Sequence, residues 1–180
     1  MHEPDPRTLE AAQRGDTDAF DELVRMFQAD LWRFCIGLVR DGPTAEDAVQ
    51  ETFLRAFRHL ARYKGRSKFS TWLFSIARNC AYDELRRSAR MDRTTGRVEM
   101  EPVRAVPDET TGVEVREALA TLPIDLREPI VLIDVLGNSY KDAAEVMGLP
   151  VGTVKSRVHR AREQLARSLG LDVGDRAKDA

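Results

Sequence analysis

AAEVMGLPVGTVKSRVHRARE, residues 143–163, holds two short helical patterns parted by Gly148-Leu149-Pro150. Glycine accepts the left-handed backbone that ends a helix and proline cannot continue one, so the break is sharp. The pattern predicts a short helix over Tyr140–Met147 and a longer basic one over Val151–Leu169. Ala143 and Ala144 are small enough for the two helices to cross closely. Val154, Val158, Ala161 and Leu165 step by four, three and four residues, which turns one stripe of the second helix inward. Thr153, Lys155, Ser156, Arg157, His159 and Arg160 then face outward. A short helix, a tight turn and a basic second helix make a helix-turn-helix, whose second helix fits the major groove of DNA. Lys and Arg neutralise phosphates or pair with guanine edges, while Ser and Thr anchor to the backbone. The plainer alternative is a helical hairpin with a basic solvent-facing side.

Helical periodicity also runs from residue 8 to residue 92. Ala19, Phe20, Leu23, Phe27, Leu31, Phe34 and Leu38 recur at threes and fours, with Asp16 or Thr17 as the cap. Asp41-Gly42-Pro43 ends that helix, with Gly42 expected in the left-handed position. Thr44 is expected to cap a second helix whose apolar side is Ala48, Val49, Phe53, Leu54 and Phe57. Tyr63 to Lys68 reads as a polar loop. Ser70 or Thr71 is expected to cap a third helix running to about Arg90, with Trp72, Leu73, Ile76, Ala77, Ala81 and Leu85 inward. Residues 93–112 carry Pro102 and Pro107 and lack a helical period, so they read as an extended linker. Helices over Val113–Leu122 and Leu126–Leu136 follow, the latter stopped by Gly137-Asn138. The tail from about Gly170 is expected to fray. The fold class is all-α: two small helical domains joined by a flexible linker, the C-terminal one containing the helix-turn-helix. The expected boundaries are 1–92, 93–112 and 113–180.

A chain of 180 residues that is 42% hydrophobic and 32% charged is neither a disordered tail nor a membrane protein. Its longest apolar run, Ile130 to Ile133, falls far short of the ~20 residues a spanning helix needs. The N-terminus has no apolar leader. Cys35 and Cys80 lie far apart, and neither CxxC nor HExxH occurs, so no metal, disulfide framework or cofactor is expected. Both thiols read as small buried hydrophobes in a reducing cytoplasm, with no membrane insertion.

The net charge of −2 hides strong segregation. Residues 1–52 hold 5 Lys/Arg against 12 Asp/Glu, whereas residues 53–91 hold 10 against 2. Residues 151–170 hold 5 against 1, and the acidic stretches lie between. Two basic blocks inside an acidic chain point to two polyanion contacts, with other surfaces left for a different partner. The first basic block interleaves cations with rings: Arg58, Arg62, Lys64, Arg66 and Lys68 alternate with His59, Tyr63, Phe69 and Trp72, and Arg78 follows. That mixture suits single-stranded nucleic acid, where phosphates need cations and unstacked bases need π surfaces. Phe69 and Trp72 also fit a core. A third surface is acidic, since Asp47, Gln50 and Glu51 at i, i+3 and i+4 share one helix face. A basic partner helix would read such a face, although solubility alone could account for it.

Taken in order, AEDAVQETFLRAF, KFSTWLFSIARNCAYDELRR and the AAEVMGLPVGTVKSRVHRARE ending resemble bacterial RNA polymerase sigma factors of the sigma-70 superfamily, extracytoplasmic-function subfamily. The resemblance covers roughly residues 8–169. It implies a factor that binds core RNA polymerase, through the β′ clamp helices and the β subunit, and directs initiation at a subset of promoter DNA. The family's clamp-binding motif falls on Asp47, Gln50 and Glu51. Its minus-10 recognition and melting segment falls on Tyr63 through Asn79, which adds Ser70, Thr71 and Asn79 to the cations and rings above. Its minus-35 reading helix falls on Val151 to Glu163. The acidic linker, with Glu99, Glu101, Asp108 and Glu109, is similar to the connector that threads the polymerase's RNA channel. The family often has an anti-sigma factor that masks both domains.

No enzymatic chemistry is expected: His2, His59 and His159 are scattered, and no Gly-rich phosphate loop or nucleophile motif occurs. A stand-alone helix-turn-helix regulator would explain residues 113–170 but leave the first domain's surfaces unused. An RNA-binding adaptor would do the opposite.

Overall fold

The computed structural model describes residues 3–95 and 113–170, and every described element is helical. Helix α1 (Pro6–Gln13) is capped by Asp5, whose side chain accepts the Arg7 N–H at 2.7 Å. Helix α2 (Thr17–Val39) is capped by Asp16, one of the two expected candidates, which accepts from Asp18 and Ala19. Its inward stripe is Leu23, Phe27, Leu31, Phe34, Cys35 and Leu38, all buried. The left-handed residue that closes α2 is Arg40 (φ 64°), not Gly42. Gly42 instead starts α3 (Gly42–His59), because Asp41 caps that helix and leaves no room for a glycine turn.

Thr44 is therefore a capped residue rather than the cap. Its backbone N–H donates to Asp41 Oδ2 at 2.9 Å, and its hydroxyl donates to the same oxygen. The buried face of α3 is made of Ala45, Ala48, Thr52 and Ala56, so α2 and α4 approach it closely. Leu54 and Phe57, expected to point inward, are 52% and 46% exposed. Phe57 rests its ring edge-on against Phe20. A 3₁₀ turn (Leu60–Arg62) leads into the loop before α4 (Phe69–Thr95).

Helix α4 begins one residue before the expected caps, and Ser70 and Thr71 lie buried within its first turn. The cap comes from the far end of the domain. Glu3 accepts the Phe69 N–H at 2.8 Å and the Ser70 N–H at 3.2 Å, placing a carboxylate on the positive end of the helix. Leu73, Phe74, Ala77, Cys80 and Ala81 face inward. The helix runs past Arg90 to Thr95, so residues 93–95 are helical rather than part of a linker. The linker acids Glu99, Glu101, Asp108 and Glu109, like the tail after Gly170, lie outside the described residues.

The second domain starts with α5 (Val113–Thr121) and α6 (Ile124–Ile130), which continues as a wider π turn over Val131–Val135. Pro129 sits inside α6 and cannot donate to the helix ladder. Gly137 (φ 67°) and Asn138, which donates from Nδ2 to the Leu132 carbonyl at 2.8 Å, end the segment as expected. Helix α7 (Tyr140–Met147) is capped by Ser139 and closed by Gly148 in the left-handed region (φ 64°). Helix α8 (Val151–Ser168) then buries Val154, Val158 and Ala161.

The domains pack against each other. Helix α4 meets α7, and α2 meets α6 and the π turn. Arg127 of α6 donates from Nη2 to the Leu38 carbonyl at 2.9 Å, closing the C-terminal end of α2 with a cation. Gly37 of α2 lets Val131 in: a Cβ there would stand 2.9 Å from Val131 Cγ2.

Candidate nucleic-acid and polymerase interfaces

The helix-turn-helix presents its basic side as its spacing requires. Lys155, Ser156, His159 and Arg160 are exposed, while Thr153 and Arg157 are half-buried. Ser156 donates to the Thr153 carbonyl at 2.9 Å, Lys155 Nζ lies 6.0 Å from the centre of the Tyr140 ring, and His159 stands 3.4 Å from Glu163. Arg162, just beyond, is tied to Asp134 by bonds of 3.1 and 2.6 Å, which fixes α8 against the π turn.

The basic-aromatic block divides by depth. Arg58, Arg62, Lys64, Arg66, Lys68 and Asn79 are exposed. Phe69, Ser70 and Thr71 are buried, so in this arrangement they support the surface rather than offer it. Tyr63, Phe69 and Trp72 form one cluster: the Tyr63 centroid lies 5.8 Å from Phe69, edge-on, and 5.1 Å from Trp72, tilted. Tyr63 and Trp72 are half-buried. The Tyr63 hydroxyl donates to the Ser67 carbonyl at 2.6 Å, and burial raises its pKa. Gln13 of α1 donates to the Tyr63 carbonyl at 2.9 Å and so anchors the loop from behind. The sequence carries no local sign of that contact, which spans 50 residues.

Two cations of this block are engaged by the second domain. Lys68 pairs with Asp142 at 2.8 Å. Burial works to raise the Asp142 carboxyl, but its bonds to Lys68 and Ser139 hold it below its ordinary value. Arg78 donates from Nε to Glu128 at 2.5 Å, and the Tyr82 hydroxyl donates to the same carboxylate at 2.8 Å. Glu128 is fully buried.

On α3, Asp47 and Gln50 are exposed and Glu51 is half-buried, accepting from Arg55 at 2.6 Å. Arg55 also reaches Asp83 on α4 at 3.2 Å. The face continues along the helix into exposed Leu54 and Phe57, which an alternation of charges alone does not reveal. Beside it, Gln28, Ala29, Trp32, Glu46, Val49 and Gln50 line a shallow groove between α2 and α3. Cys35 and Cys80 are buried; burial pushes the Cys35 thiol up to about 12, with Cys80 adding to the shift. No described helix is long and apolar enough to cross a membrane.

Of the two helical domains, one carries an exposed basic helix and the other an acid-amide face beside a basic-aromatic surface. Residues 23–91 match the family model for sigma-70 region 2, and residues 112–165 match that for sigma-70 region 4. The chain is 37% identical over 182 residues to the RNA polymerase sigma-H factor of Pseudomonas aeruginosa, covering 93% of this chain and 94% of that protein. It is 40% identical over 159 residues to the ECF RNA polymerase sigma factor SigC of Mycobacterium tuberculosis, covering 86% and 85%. The fold superposes with a TM-score of 0.76 on the sigma factor RpoE of Bartonella quintana, crystallised in complex with the anti-sigma factor NepR. That match is 35% identical and covers 85% of this chain and 98% of the other. The chain belongs to the extracytoplasmic-function sigma factors of RNA polymerase. It acts in transcription initiation, and the stand-alone regulator and the RNA adaptor both fall away, since each would leave one matched region idle.

Proposed function

We propose that Asp47, Gln50 and Glu51 dock on the β′ clamp helices of core RNA polymerase, with further contacts on the β subunit. The loop and first turns of α4, from Tyr63 to Asn79, capture and melt the minus-10 element, and α8 reads the minus-35 duplex through Thr153, Lys155, Ser156, Arg157, His159 and Arg160. The working units are a first domain that ends with α4 at Thr95 and a second from Val113 onward, acting in the cytoplasm without enzymatic chemistry of their own. An anti-sigma factor is a further partner, by analogy with the complex of RpoE and NepR.

What supports the clamp-binding assignment most is the neighbourhood of the acid-amide face. Leu54 and Phe57 stand exposed on the same helix, and a purely solubilising patch has no use for two large apolar side chains in water. Losing one partner of a desolvated charged pair at an interface costs about 2–5 kcal/mol. A variant carrying Asp47→Ala and Gln50→Ala should stay folded and lose core-polymerase affinity at least ~10-fold in a pull-down titration. Unchanged affinity in the folded variant moves the docking site elsewhere.

A further inference from the structure

We propose that Arg55 and Asp83 are positioning residues for polymerase docking: Asp83 on α4 steadies Arg55, and Arg55 holds Glu51 of α3 in one geometry for a cation of the partner. The proposal rests on the reading of Glu51 as a clamp-docking acid and adds two residues to it.

Three side chains run in a line across two helices. Arg55 donates from Nε to Glu51 Oε1 at 2.6 Å and from Nη1 to Asp83 Oδ2 at 3.2 Å. Arg86, three residues further along α4, donates to the other Asp83 oxygen at 2.5 Å. The reach from α3 to α4 is short because Ala45, Ala48 and Ala56 let the helices approach closely. One guanidinium thus bonds two acids through different nitrogens, which its planar fork fixes and a lysine ammonium does not. The bond to Glu51 first, and that to Asp83 with it, raises the Arg55 guanidinium above its ordinary value. Arg86 and Arg55 hold the Asp83 carboxyl below its own.

As a device for stability this line is poor. Arg55, Glu51 and Asp83 are 36%, 37% and 42% exposed, and exposed ion pairs contribute little to folding. Its effect on Glu51 is larger. A glutamate side chain loose in water must be ordered when a partner binds it, and that ordering is subtracted from affinity. Arg55 orders Glu51 beforehand, engaging Oε1 and leaving Oε2 to accept from a partner cation. Glu51 and Arg55 stand at i and i+4 with the acid first, the favourable order on a helix. That pair alone would still let the arginine swing. Asp83, from the neighbouring helix, fixes its far side.

A double-mutant cycle between Glu51 and Asp83 in the full-length factor tests this. Affinity for core RNA polymerase is titrated in about 0.3 M salt, which screens exposed charges more than about 6 Å apart. Glu51→Gln should weaken binding at least about fivefold, and Asp83→Asn at least about threefold. In the Glu51→Gln background, Asp83→Asn should change affinity by less than about 1.5-fold, because no carboxylate is left to hold. Arg55→Lys keeps the charge without the fork and should weaken binding as much as Asp83→Asn does. Thermal midpoints of all variants should fall by no more than about 3 °C. Full affinity in Asp83→Asn, or a loss that persists in the Glu51→Gln background, overturns the positioning while Glu51 keeps its place on the clamp. Full affinity in Glu51→Gln overturns the positioning together with the docking role of Glu51.

Discussion

The hydroxyl of Tyr63 donates to the carbonyl of Ser67 at 2.6 Å, closing the basic loop on itself while the ring leans on Phe69 and Trp72. The tyrosine thus has two separable parts. Tyr63→Phe removes the latch and keeps the ring, so it should lower stability by ~0.5–1.5 kcal/mol and leave promoter opening near the wild-type rate. Tyr63→Ala removes both and should also slow opening, since stacking on one base is worth roughly 1–3 kcal/mol. Permanganate footprinting of the melted bubble, beside a melting curve for each variant, tells them apart. Opening at the wild-type rate by the alanine variant would place base capture on the Lys64–Phe69 stretch instead.

Gln13 holds the same loop from α1 through the Tyr63 carbonyl at 2.9 Å and, more weakly, the Leu60 carbonyl at 3.4 Å. Gln13→Ala should cost about 1 kcal/mol of stability. It should slow strand opening by holoenzyme without changing core-polymerase affinity, because α3 is untouched. A parallel loss of polymerase affinity would mean that the loop and α3 move as one body.

The buried thiols predict an alkaline signature. The folded Cys35 thiol, pushed up to about 12 from an ordinary 9.0, holds its proton more tightly than the unfolded one. Its contribution to stability is therefore complete below pH 9 and drains away as pH rises towards about 12. The slope is at most ~1.4 kcal/mol per pH unit. Urea midpoints at several pH values should fall across this window, and Cys35→Ala should flatten the fall. Tyr82, also raised to about 12 by burial, adds to the slope in both proteins, so the difference between them isolates Cys35. At pH 8 the native chain should leave a thiol reagent unconsumed until denaturant is added. Rapid reaction of the folded protein would contradict the burial of both cysteines.

Local chemistry made much of this molecule legible. The stripe Leu23, Phe27, Leu31, Phe34 and Leu38 and the turn at Gly148 were readable because a helix period and a left-handed glycine are properties of a few neighbouring residues. Where the reading missed, the deciding atom came from elsewhere. Asp41 took the cap expected of Thr44, because an aspartate two residues before Pro43 caps the helix and leaves the threonine inside it. Glu3 capped α4 across 66 residues of sequence. Leu54 and Phe57 counted as core by period, yet the small residues Ala45, Ala48 and Ala56 had already filled the contact. Glu128 read as one more acid in an acidic block, and only the packing of α6 on α4 reveals what it faces.

Arg160 and Arg162 lie two residues apart on α8 and should fail in opposite ways. Arg162 is bound to Asp134 through two bonds, whereas Arg160 is exposed on the reading side. Arg162→Ala should cost no more than ~1 kcal/mol of stability, as exposed ion pairs do, and leave duplex affinity nearly intact. Arg160→Ala should leave the melting curve unchanged and weaken binding of holoenzyme to the upstream duplex of promoters it selects. The loss is ~1–3 kcal/mol at one base position if the guanidinium reads a base edge. If it neutralises a phosphate, the loss is uniform over sequences and the dependence of log affinity on log salt becomes shallower by about one. Anisotropy titrations at two salt concentrations distinguish the two roles. A pre-melted template already engaged by core polymerase should be transcribed nearly normally by the Arg160 variant, since the reading helix has then done its work. Should Arg162→Ala lose duplex affinity while Arg160→Ala keeps it, α8 meets DNA by a different face, and the assignment of Thr153, Lys155, Ser156, Arg157 and His159 would have to rotate with it.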